Sequence, residues 1–290
     1  MSQIVCFGEV LWDVFPDGRQ LGGASCNVAF HLAQLGAQVA LLSRVGDDEP
    51  GRVAIGELES AGVDTSLIQV DGDGLDTGRV NVTIEDGEPR YSLSQHGAWE
   101  HIAIAEAARA ALASSRALVF GSLIQRSSTG REALACALDS VGEKTLRIFD
   151  MNLRPGHFDM ALVTETVQKT DVAKLNDAEA ELLSQEVGKA DVASWLIEEC
   201  GLRLVALSHG AAGATLVDRQ SRAHHPGFSA RPGGDNVGAG DSFLAALTMG
   251  ILAEAAPEEI VEFANRVGCQ VASNRGATPS LGELSVPSGW

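Results

Sequence analysis

The stretch DNVGAGDSF, residues 235 to 243, sets two acids around a Gly-Ala-Gly step just before an apolar, helix-like run. Asp is favoured in the first turn of a helix, where it offsets the dipole and accepts backbone N–H bonds, so Asp241 taken alone reads as a capping residue. Its neighbours change that reading. Gly238 and Gly240 have no side chains to hold a ligand off, which leaves the N–H groups of Ala239, Gly240 and Asp241 to form an anion hole. Such a hole stabilises negative charge that develops during group transfer, and a carboxylate beside it can accept the proton of an attacking hydroxyl. That combination describes an alcohol kinase. Other solutions lack their residues: Gly188-Lys189 is followed by Ala190, so there is no P-loop, and GxGxxG, HExxH and GxSxG are missing.

Elements that could position these groups are legible in the hydrophobic pattern. Short apolar runs recur as IVCFGEVL from 4, VALLSRV from 39, ALVFG from 117, LRIFD from 146, VAKLN from 172 and LVALSHG from 204. Continuous hydrophobicity suits strands buried on both faces. Between them Val28, Leu32 and Leu35 follow one helical spacing, and Leu244, Leu247 and Ile251 another. Alternating strands and helices predict an α/β fold, a mostly parallel central sheet flanked by helices, with ligands bound beyond the carboxyl ends of its strands. One region departs from the pattern. Val80, Val82 and Ile84 alternate with Arg79, Asn81 and Thr83 before an Asp86-Gly87 turn and a second run over Arg90 to Ser94, which predicts a two-faced antiparallel hairpin. Such a hairpin is poorly stable alone, so it is expected to serve as a lid, with a dimer contact through its edge as a further use and a decorative hairpin as the plain alternative.

Composition narrows the function classes. With 290 residues and 45% hydrophobic content the chain can bury a large core as one domain, the lid being drawn from about 12–22 and 72–101. A formal charge of −18, from 21 Lys+Arg against 39 Asp+Glu, repels nucleic-acid phosphates and anionic lipid. A small phosphorylated ligand remains compatible, because local amides, one basic side chain and a divalent metal make a positive pocket within a negative envelope. The five cysteines are scattered with no CxxC pair, and no leader or membrane-length run is present, so a cytoplasmic location is expected.

DNVGAGDSF resembles the C-terminal signature of the ribokinase-like (PfkB-type) carbohydrate kinases, and GGASCNVAFHLAQLGAQVALLSRVGDDEPG, from residue 22, resembles their N-terminal one. The resemblance spans nearly the whole chain. It implies a Rossmann-like core with a β lid, ATP and Mg²⁺ as cosubstrates, Asp241 as general base, and Gly238, Ala239 and Gly240 as the anion hole. DMNLRP is similar to the family's DxNxRP, which implies that Asn152 contacts the ligand and Arg154 pairs with phosphate; a structural salt bridge is the other reading of Arg154. LNDAEAELL matches NxxE, implying that Asn176 and Glu179 serve the nucleotide and a water-bound Mg²⁺, with Lys174 just before them on the ATP side; by themselves Asn176 and Glu179 are an N-cap and its capping-box partner. SHGAAG resembles the TxGxxG turn that packs around ATP, through Ser208, Gly210 and Gly213, although these glycines also suit an ordinary turn. Asn265 occupies the family's place near adenine; read alone it is a solvated residue. NRGATPS resembles a loop that encloses a monovalent cation with Asp235, implying Val237, Val271, Asn274, Gly276 and Ser280 as its surroundings and K⁺ as the ion, but Asn236 departs from the usual threonine.

The acceptor site is expected in the N-terminal half, where Asp13, Gly22, Gly23 and Asn27 occupy the family's sugar-binding positions and His96 could reach in from the lid. WDVFPDG, AWEHI and GSL look most like the bacterial fructokinase branch, so fructose leads. Ribose and 2-keto-3-deoxygluconate are further acceptors within the family. A nucleoside kinase would need an aromatic wall that 5% aromatics and the single Tyr91 scarcely supply. A noncatalytic sugar sensor would be expected to have lost the base or the hole, and both are intact.

Overall fold

The computed structural model describes residues 3–16, 18–85, 88–93, 96–154, 156–282 and 284–290, with the backbone course alone over 82–85 and 88–93. Each continuous apolar run is a strand. In chain order the elements are β1 (Ile4–Phe7), β2 (Leu11–Phe15), β3 (Gly18–Gly22), α1 (Ala24–Gln34), β4 (Val39–Val45), α2 (Glu49–Ser60), β5 (Ile68–Val70), β6 (Gly78–Glu85), β7 (Glu88–Leu93), α3 (Glu106–Ser114) and β8 (Ala117–Gly121). There follow α4 (Ser128–Ser140), β9 (Leu146–Asp150), α5 (Met160–Val167), β10 (Val172–Asn176), α6 (Asp177–Val187), α7 (Val192–Glu198), β11 (Leu204–Ser208), β12 (Ala214–Val217), β13 (Arg222–His225), α8 (Ala239–Leu252) and α9 (Pro257–Ala272).

Among the described residues a nine-stranded sheet runs β13-β12-β11-β10-β9-β8-β1-β4-β5. The strands from β11 to β5 are parallel, and β12 and β13 extend the sheet antiparallel at one edge. This extension has no counterpart in the sequence reading, because ATLV and RAHH are too short to show a strand period and RAHH is mostly polar. The pleat sends alternate residues to two cores. Ile4 and Cys6 face α1, α2, α8 and α9, while Val5 and Phe7 face the layer of α3 to α7. Phe120 and Phe149, register partners on β8 and β9, stack at 5.3 Å in the second core. Full burial of such side chains contributes about 1.5–3 kcal/mol each, so the two layers fix the strand ends on which the site is built.

The lid is a separate sheet, ordered β3-β2-β6-β7. The predicted hairpin is β6 and β7, paired antiparallel from Val80 with Leu93 to Glu85 with Glu88. Its Asp86-Gly87 turn, and Gln95 and Ser94 beyond it, lie outside the described residues. β2 and β3 form a second hairpin, joined to the first by parallel pairing of β2 with β6. The expected span of 72–101 is wider than the strands, for 98–101 is a 3₁₀ turn whose Trp99 is wholly buried in the core.

Helix starts differ in how they are closed. Asp48, Ser127, Asp159, Asn176 and Asp191 cap α2, α4, α5, α6 and α7 with their side chains. α1, α3, α8 and α9 have no side-chain cap, and α8 opens on Gly238, in the left-handed region at φ 75°. Its first-turn amides are thus left to another partner.

Candidate active site

Asp241 is buried in the first turn of α8, at 9% exposure, and its Oδ2 accepts a 2.8 Å hydrogen bond from Asn27 Nδ2 in α1. Burial pushes its titration above the ordinary Asp range, and the Asn27 bond and the charges of Lys174 and Arg154 oppose that push. A desolvated carboxylate held by one amide is suited to take up a proton. The Oδ1 of Asn27 is buried without a partner among the described residues. An unsatisfied acceptor there is costly unless a ligand hydroxyl fills it.

The hole is narrower than expected. The Ala239 N–H donates to Asn236 O at 3.3 Å, which engages one of the three foreseen donors. A side chain at Gly238 would come within 2.3 Å of Ala277 O, so both φ and space demand glycine there. At Gly240 a Cβ would lie 3.1 Å from Lys174 Nζ. Lys174, the third residue of β10, therefore sits beneath the hole, ion-paired at 3.0 Å with Asp150 at the end of β9. Burial works against the Lys174 charge, but Asp150, Glu179 and Asp241 hold its titration above the usual lysine value.

On the acceptor side, Gly22 admits the Asp13 carboxylate, whose Oδ2 lies 2.6 Å from where a Cβ would stand. Burial raises the Asp13 carboxyl to about 6, with Arg154 opposing and Asp241 reinforcing the shift. Gly23, at φ 104°, starts α1, and Glu9 Oε1 accepts from the Ala24 amide at 2.8 Å. Asn152 takes a left-handed φ of 36°, a region Asn tolerates better than most residues. Arg154 is exposed and, among the described residues, makes no ion pair, which removes the salt-bridge reading; its charge favours ionisation of Glu9, Asp13, Asp150 and Asp241. His96 is exposed at φ 65°, in the link from lid to core.

On the opposite side, Asn176 and Ser208 are register partners at the ends of β10 and β11. Asn176 and Glu179 form the capping box of α6, and Glu179 also accepts from the Leu153 amide, so each of its oxygens already holds a backbone N–H at 2.8 Å. Nearby, Asp150 Oδ2 is buried and unpartnered among the described residues. The pair fits a hydrated cation better than a directly bound one, since Glu179 has only second lone pairs to offer and Asp150 one free oxygen. Gly210 faces open space, whereas a Cβ on Gly213 would meet His225 O at 1.9 Å, so Gly213 is needed for the close approach of the chain after β13. Asn265 is not solvated: it is buried at 8% and its Nδ2 donates to Val261 O at 2.8 Å within α9.

The cation-loop residues also gather. The Asp235 amide donates to Asn274 O at 2.9 Å, its carboxylate accepts from Val237 and Gly276, both at 3.1 Å, and Val271 O accepts from Asn274. Carboxylate and carbonyl oxygens alike thus already hold one N–H each and keep a second lone pair. Ser280 is exposed and its Oγ accepts from Gly282 at 3.2 Å, turned to its own loop. Among the described residues no three His, Cys, Asp or Glu side chains converge as a metal cluster, and no helix is long and apolar enough to cross a membrane. Asp150 and Glu9 escaped the sequence reading. Asp150 opens the DMNLRP motif two residues before Asn152, which was the available signal.

Two signature motifs, a parallel sheet with a β lid, and a carboxylate at an uncapped helix start define one class of protein: residues 1–283 match the model of the pfkB family of carbohydrate kinases, and the chain belongs to that family. Fructokinase-1 of Oryza sativa subsp. japonica is 28% identical over 96% of this chain and 94% of its own. An ATP-dependent ribose-1-phosphate kinase of Halopiger xanaduensis is 30% identical, with the same coverage. Among solved structures, an uncharacterized sugar kinase of Pyrococcus horikoshii in complex with ATP superposes with a TM-score of 0.83 at 27% identity, covering 95% of this chain and 94% of that one.

Proposed function

We propose that this carbohydrate kinase transfers the γ-phosphoryl group of ATP to a primary hydroxyl of fructose. The observation that carries the reading is the buried Asp241 carboxylate, held by Asn27 beside the Gly240 amide and above Lys174. The acceptor hydroxyl gives its proton to Asp241 as its oxygen bonds to the γ-phosphorus. The bond from that phosphorus to the bridging oxygen of ADP breaks, and ADP leaves with the electron pair. The Gly240 and Asp241 amides and the Lys174 ammonium meet the charge on the transferring group. Asp13 and Asn27 take sugar hydroxyls, and the lid excludes water that would compete as acceptor. Mg²⁺, when bound, neutralises phosphate charge, and Glu179 and Asp150 would hold it through water. Ser208, Asn176 and Asn265 lie on the nucleotide side, and Asp235 with the carbonyls of the 271–276 loop is the place for K⁺. The enzyme acts in the cytoplasm, where ATP is supplied, and a second copy pairs along the outer strands of the lid.

Fructose is supported by the rice fructokinase and by the WDVFPDG, AWEHI and GSL patches of the sequence. A phosphorylated acceptor is the second reading, favoured by the exposed Arg154, which makes no ion pair among the described residues, and by the Halopiger relative. ATP consumption by purified protein with Mg²⁺ over fructose, ribose, ribose 1-phosphate, 2-keto-3-deoxygluconate, glucose and adenosine decides between them. Fructose is expected to give the strongest signal, lost on the order of 10²-fold or more in Asp241→Asn. Near-wild-type turnover in that variant would remove Asp241 as the base.

A further inference from the structure

His31 lies one turn beyond Asn27 in α1 and is wholly buried. Its Nε2 is 2.8 Å from the Ala277 carbonyl, an acceptor only, so Nε2 carries the proton. Nδ1 is buried with no partner among the described residues. A second proton there would find no acceptor, in keeping with burial pushing the imidazole down to about 4. The ring is a neutral donor fixed in one tautomer.

The carbonyl it holds belongs to the segment on which the anion hole rests, for Gly238 packs so closely on Ala277 that a Cβ would stand 2.3 Å from its O and 2.7 Å from its Cα. Gln34 grips the same loop, donating to Pro279 O at 3.1 Å and accepting from the Leu281 amide at 3.0 Å. Asn27, His31 and Gln34 are four and three residues apart and form one stripe of α1. The first touches the base, and the other two hold the loop behind the hole. A buried ring nitrogen without a partner works against stability, and an aliphatic side chain would avoid that cost. What offsets it is the hold of Nε2–H on Ala277.

We propose that His31 is a positioning residue for phosphoryl transfer: through the Ala277 carbonyl it sets the Gly238 turn, so that one face of α1 aligns the hole with the base. This rests on the kinase reading of the site. The test compares His31→Leu, which removes the donor, with His31→Gln, whose amide can replace it, by steady-state kinetics with ATP and the accepted sugar and by amide hydrogen exchange of the ligand-free protein. His31→Leu is expected to lower kcat about tenfold or more, up to the roughly 10²-fold that a misplacement of about 1 Å can cost, with sugar KM within about threefold; His31→Gln should recover most of the loss. In His31→Leu, exchange should quicken in segment 235–242 as well as 274–281. A folded His31→Leu with wild-type kcat, or exchange that quickens in 274–281 alone, overturns the proposal. If the wild type phosphorylates no acceptor, the kinase reading fails and the exchange comparison still decides whether His31 governs the turn. Should His31→Leu not fold, His31→Asn, polar but too short to reach Ala277, takes its place with the same outcomes.

Discussion

Asp241 sits where opposing influences meet. Burial favours its protonated form, while the Asn27 bond and the nearby cations favour the charged form that accepts a proton. The acid limb of the kcat profile should therefore lie above the ordinary carboxylate range, since activity is lost as pH falls through the raised value of the base. Asn27→Leu removes one force holding that value down and should move the limb to higher pH; a limb that stays in place would separate Asn27 from the base. Asp13 carries a different consequence. Its carboxyl is near 4 unfolded and about 6 folded, so the fold is not penalised below about pH 4, and the penalty is complete above about pH 6. Asp13→Asn should raise Tm at pH 8 and not at pH 4, while weakening sugar binding. At this scale the sequence was informative for residues inside contiguous motifs. It could not show that Asn27 bonds Asp241 across 214 residues, nor that His31, with an ordinary helical spacing, is buried and polar.

Among the elements, two glycines of similar appearance separate stability from chemistry. Gly213, at φ 91° and hard against His225 O, cannot take a side chain without moving backbone. Gly213→Ala should lower Tm by about 5 °C or more, from backbone strain of about 1–3 kcal/mol plus the collision. Gly240 has only the flexible tip of Lys174 near its would-be Cβ. Gly240→Ala should leave Tm unchanged or raise it, since Ala gains up to about 1 kcal/mol in helices, yet cut kcat about tenfold or more by intruding on the hole. Thermal melts alongside kinetics would distinguish the two, and equal losses of stability would refute the assignment of Gly240 to chemistry. The six parallel strands named from sequence were legible because burial on both faces leaves an unbroken apolar run. β12 and β13 were not, because four-residue strands carry too few residues to establish a period. The buried Trp99 turn was read as part of the lid because sequence proximity to β7 does not reveal that the chain has already returned to the core.

At the scale of the molecule, a formal charge of −18 makes the compact state repel itself. Raising choline chloride from about 10 mM to about 200 mM should raise Tm as the Debye length falls. Potassium chloride at the same ionic strength should add a further increment if the carbonyls around Asp235 hold the ion, and coincident melts in the two salts would dismiss K⁺ from that loop. The lid joins its halves from both sides of α1, β4 and α2 in sequence, so its four strands form only when β2 finds β6.

The bond between Asn27 and Asp241 also has a meaning in time. A ribosome adding about 5–20 residues per second releases the two halves of the site roughly 10–40 s apart. During that interval the polar stripe of α1 has neither the Asp241 carboxylate nor the 274–281 loop to grip. The contacts of Asn27, His31 and Gln34 with α8 and the 274–281 loop form only when those late segments close over α1, so this site is among the last parts of the fold to be assembled.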